Sequence, residues 1–148
     1  MTDASKSETF LTAAALHKIK AEREHSEAQK AAALEVKRSE EQKALNEAFM
    51  HREVQPNAME RVMASVRRAA EHGETHILVF QFPSKLCKDE GRAINSADPN
   101  WPASLDGFPA RAFAFFEKQL QPHGFKLRAE IVNFPGGMPG DVAVTLHW

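Results

Sequence analysis

Cys87, Lys88, Asp89, Glu90, Arg92, Asn95, Asp98 and Trp101 crowd into one stretch of this chain, between Pro83 and Leu105. These are the residue types with which a small protein holds or attacks a ligand. Arg92 could clamp a carboxylate or a phosphate in a fork geometry, and Trp101 could stack on a ring. Loops held by a rigid scaffold often carry such groups. The competing reading is a plug, in which Trp101 and the prolines cover a sheet edge and the charges are solvated. The candidate ligand-binding residues are therefore Arg92, Asn95 and Trp101, with the plug kept beside them.

No catalytic residue is assigned. Cys87 could act as a nucleophile only if a cation lowered its pKa, and Lys85 and Lys88 are near in sequence. A catalytic cysteine also wants a positioned histidine, and no local signature supplies one. The simpler reading is a small buried hydrophobe. The chain has seven histidines. His72 and His76 stand four apart, but Gly73 between them separates a helix from a strand, so they cannot share a helix face as metal ligands. His17, His25 and His51 have no near partner. Neither a metal nor a cofactor is expected.

The elements that must position these groups divide sharply by composition. Residues 1–54 contain no Gly, Pro or Trp, whereas residues 73–148 contain all seven Gly and both Trp. The first part reads as an extended helical arm over 1–54, the second as a compact α+β domain over 55–148. Ala, Glu, Lys and Gln dominate residues 7–50, with Ser7 as a possible cap. Opposite charges four apart, such as Lys20–Glu24 and Arg23–Glu27, support helix. Lys20–Lys30 is polar all round and has almost nothing to bury.

Pro56 marks the boundary. Met59, Val62, Met63, Val66 and Ala70 then form a helical stripe ending at Gly73. Residues 75–82 read as a strand whose run Ile77–Phe80 is apolar on both faces, as in strands covered on both sides. After the loop over 83–106, residues 107–121 read as a helix with Phe108, Ala112, Phe115, Phe116 and Leu120 inward. Residues 125–131 and 141–148 alternate strictly and make a hairpin with one wet face. Its turn, Pro135–Gly140, resembles a phosphate loop only in glycine content. The predicted fold is a small three-stranded sheet in the order α-β-loop-α-β-β, helices on one face, preceded by the long helix. The hairpin strands must be adjacent, so the first strand sits at a sheet edge, where exposed apolar residues invite pairing.

Charge narrows the partners. The formal net charge is −1, and both halves are balanced, which argues against nucleic acid. Two features keep that class open as an alternative. Arg68 and His72 are spaced like the Arg-x-x-x-His pair of one family of single-stranded nucleic-acid-binding domains, and Lys126, Arg128 and His147 lie on the open sheet face. The single cysteine excludes an internal disulfide, and no apolar run is long enough to span a membrane. MTDASKSETF has no basic region followed by an apolar one, so a cytoplasmic location is expected.

The segments LCKDEGRAIN (86–95) and NFPGGMPGDVAVTLHW (133–148) resemble parts of small uncharacterised bacterial proteins with a variable helical N-terminus. The resemblance covers about 75–148. It implies that loop and turn belong to one domain design, and it carries no activity or site residues. The expected function is a non-catalytic interaction or regulatory module acting as a homodimer, with the helix as a possible contact arm for another protein. The alternative is a ligand binder or small enzyme using the 83–106 loop.

Overall fold

A computed structural model describes residues 10–148; the Ser7 cap lies outside them. The chain forms two compact units that divide between Leu45 and Asn46. Helix α1 (Ala13–Met50) runs through the first and ends in the second. At its start the Ala15 amide donates to Thr12 Oγ1 at 3.1 Å, so Thr12 supplies the cap. Arg23 meets Glu27 at 3.0 Å and Lys20 meets Glu24 at 4.0 Å, both on the solvated surface. From residue 16 to residue 45 every side chain is exposed. Exposed pairs of this kind add only about 0.3–0.5 kcal/mol each, so intrinsic propensity carries this stretch.

The second unit holds helix α2 (Ala58–Glu71), strand β1 (His76–Pro83), a structured loop, helix α4 (Gly107–Gln119) and strands β2 (Lys126–Ile131) and β3 (Asp141–His147). The loop contains the single-turn helix α3 (Arg92–Asn95) and two tight turns, Ser84–Leu86 and Trp101–Ser104. The sheet is antiparallel in the order β1-β3-β2. This is the α+β architecture that the element order predicts, with β1 at an edge.

β3 is the spine. Val142, Val144 and Leu146 alternate toward the helices and are the most deeply buried side chains of the sheet. Phe82, Cys87, Ile94 and Leu105 pack with Val142 and Val144 at one end. Phe116, Leu120 and Leu146 form the core at the other, joined by Met59, Val62, Met63 and Val66 of α2. Ala69, not Ala70, completes that stripe, because three further residues from Val66 return to the same face. Trp148 departs from the alternation: it is 40% exposed, with its ring edge-on to Phe125 at 6.3 Å.

β1 corrects the expectation of a strand covered on both faces. Leu78 pairs with Thr145 and Phe80 with Val144, so Val79 is an extra residue opposite no partner. This bulge makes the inward residues Ile77 and Phe80 three apart instead of two. The apolar run is continuous because the bulge interrupts the alternation. Leu78 is 58% and Val79 38% exposed.

Deleting residues 1–30 is expected to leave the cooperative unfolding transition of the remainder in place, since these side chains bury nothing from residue 16 onward. Chemical denaturation of the truncated chain checks this. Loss of the transition would make the arm part of the core.

Candidate functional site

The loop after β1 is closed by its own hydrogen bonds. The Lys88 amide donates to Ser104 carbonyl at 2.8 Å, and Ser104 Oγ donates to Trp101 carbonyl at 2.6 Å. The Asp89 carboxylate accepts from the amides of Gly91 (3.0 Å) and Ala93 (2.9 Å), which sets up α3. The loop is clipped to the β2–β3 turn as well. Ser84 donates through its amide to Gly140 carbonyl (2.8 Å) and through Oγ to Pro139 carbonyl (3.0 Å). Gly91 permits the close packing here: a Cβ on it would lie 2.8 Å from Ser84 Cβ, at φ +87. Loop and turn are therefore one packed substructure.

The three candidate residues of this loop separate. Trp101 is half-buried, packed on the core with its ring edge-on to Phe113 at 5.7 Å. Arg92 and Asn95 sit on the exposed side of α3. Trp101 thus faces the protein while the polar pair faces solvent. Cys87 is buried, and burial with the nearby Asp89 charge pushes its thiol up to about 11. A thiol so protonated at neutral pH is a poor nucleophile. Its raised pKa also sets a direction. Between pH 9 and about 11 the folded state keeps a proton that the unfolded chain gives up, so this group's stabilising contribution is lost as pH rises through that window. Accordingly, Cys87 is expected to resist alkylation at pH 7.5 in the native protein and to react promptly in denaturant, as mass spectrometry would read; rapid native labelling would contradict this burial.

Other sequence candidates resolve locally. His72 donates through Nδ1 to the Arg68 carbonyl at 2.6 Å, so the Arg-x-x-x-His spacing closes the last turn of α2. On the open sheet face, His76 and His147 stack with centroids 5.0 Å apart, and Thr145 Oγ1 and His147 Nε2 are hydrogen-bonded at 2.8 Å. Partial burial, together with the positive charges of Arg128 and His76, holds His147 below its ordinary pKa. The strand pairing places His147 between His76 and Lys126, and Thr145 beside Arg128. Among the described residues, no group of three or more His, Cys, Asp or Glu could hold a metal ion. No described helix is long and apolar enough to cross a membrane.

A site that sequence reading missed lies on the helix side of β1. There β1, α2 and α4 enclose a cleft of about 300 Å³. Its lining includes the apolar side chains of Val62, Ile77, Phe116 and Leu146. Arg52, Glu53 and Arg61 stand among its lining residues. The Arg52 guanidinium lies over both the Phe49 and Phe108 rings, 5.5 Å from each centroid. The segment carrying it is tied down by Arg111 of α4. Arg111 Nη2 donates to the Met50 and Arg52 carbonyls, both at 2.7 Å, and Nε stands 3.7 Å from the Glu53 carboxylate. Gly107 allows that approach, since a Cβ there would lie 2.8 Å from the Met50 carbonyl oxygen. Arg111 left no trace in the sequence pattern because its strongest partners are backbone carbonyls, which any residue supplies.

Comparison of the chain with family models, with curated proteins and with solved structures finds no match.

Proposed function

We propose that this chain is a non-catalytic interaction module of the cytoplasm that pairs with a second copy of itself through the free edge of β1. The observation that carries the reading is that edge. β3 occupies one side of β1 and no strand of the described sheet occupies the other, while Leu78 and Val79 leave apolar surface there. Such an edge is a template for another strand, and in a symmetric dimer the same edge serves both partners. The arm supplies a second surface. Leu16, Ile19, Leu34 and Leu45 fall on one face of α1, all exposed. The chemistry of Cys87 supports the reading too, since the single thiol is buried and protonated.

Sedimentation equilibrium tests the proposal. A dimer is expected at high micromolar concentration, and the double variant Leu78→Lys, Val79→Lys is expected to dissociate at least about tenfold more readily, because like charges would meet across the paired edge. A strict monomer in the wild type would overturn the homodimer.

A further inference from the structure

We infer that the cleft between β1, α2 and α4 is a binding site for a medium-chain aliphatic monocarboxylate. The inference goes beyond self-association, although the cleft shares Leu78 and Val79 with the edge proposed to pair.

Three observations point to this chemistry. The first is the volume of about 300 Å³, at the small end of the range for ligand pockets, with Ile77, Phe80, Phe115 and Phe116 among an apolar lining. An alkyl chain would lose water against these side chains. The second is the charge among the lining residues. Arg52 and Arg61 have no ion-pair partner among the described residues, whereas the carboxylate of Glu53 stands by Arg111 at 3.7 Å. The unneutralised charge in the lining is thus positive, complementary to a carboxylate head. The third is order. Arg52 is held over two phenyl rings, and its backbone carbonyl is fixed by Arg111. A guanidinium offers its N–H groups as a fork that fits a planar, two-oxygen acceptor, and one already held beside two rings loses less freedom when the carboxylate arrives. A neutral alkane would leave both guanidinium groups unused, and an amine would be repelled by them.

Titration calorimetry of the full chain with sodium octanoate tests the site, with octan-1-ol as the same tail without the charge. One octanoate per chain is expected. The double variant Arg52→Gln, Arg61→Gln is expected to bind it roughly tenfold or more weakly, as is the wild type with octan-1-ol, in keeping with loss of charge-assisted hydrogen bonds. Ala112→Phe, which fills the cleft, is expected to abolish binding; if that variant does not fold, the arginine pair decides. Absence of octanoate binding by the wild type would overturn the inference. So would equal affinity for octanoate and octan-1-ol, or octanoate affinity unchanged by the arginine substitutions or by a folded Ala112→Phe variant. These variants leave Leu78 and Val79 in place, and sedimentation reports on self-association separately.

Discussion

Leu146→Ala is expected to destabilise the protein by about 4 kcal/mol. Leu146 lies on the central strand, is 0% exposed, and joins Phe116 and Leu120 in the core beneath α2 and α4. Truncation removes the transfer free energy of the side chain and leaves a void that neighbours on three elements cannot all move to fill. The loss is a large fraction of the roughly 5–15 kcal/mol that holds a domain folded. Urea denaturation should show a lowered midpoint with an unchanged slope. A change below about 1 kcal/mol would mean that this end of the core collapses freely around the gap.

The second large effect belongs to the loop. Trp101→Ala is expected to cost about 3 kcal/mol, while Arg92→Ala stays within about 0.5 kcal/mol of the wild type. Trp101 packs on Phe113 and anchors a loop whose buried apolar residues are Cys87, Ile94 and Leu105. Arg92 is exposed on the first residue of α3. The contrast separates plug from site. Equal losses for both variants would contradict the plug, and anion-dependent thermal protection lost only in Arg92→Ala would establish a ligand at Arg92.

How much of this was legible beforehand depends on the range of the physics involved. α1 could be read directly, because helix formation is local and residues 1–54 contain neither Gly nor Pro to stop it. The alternation in β2 and β3 survived because a strand with one wet face shows its period in the sequence. Topology followed too: a hairpin forces β1 outward, and the sheet order β1-β3-β2 is the result. Arg92, Asn95 and Trp101 could be named from their chemistry, but no local rule says that the indole turns inward while the other two turn out.

What composition and spacing determined about this chain is therefore its elements, their order and the edge position of β1. Tertiary structure alone decided the bulge at Val79, the clipping of the loop to the β2–β3 turn through Ser84, and the cleft rimmed by Arg52 and Arg61. The physical reason is common to all three. A bulge is a mismatch between two strands, so neither strand encodes it alone. The Ser84 and Arg111 contacts end on backbone carbonyls, which every residue carries. A cleft is the space that three elements leave between them. Periodicity reports which face of an element is apolar, whereas the distance between faces is set only when they meet.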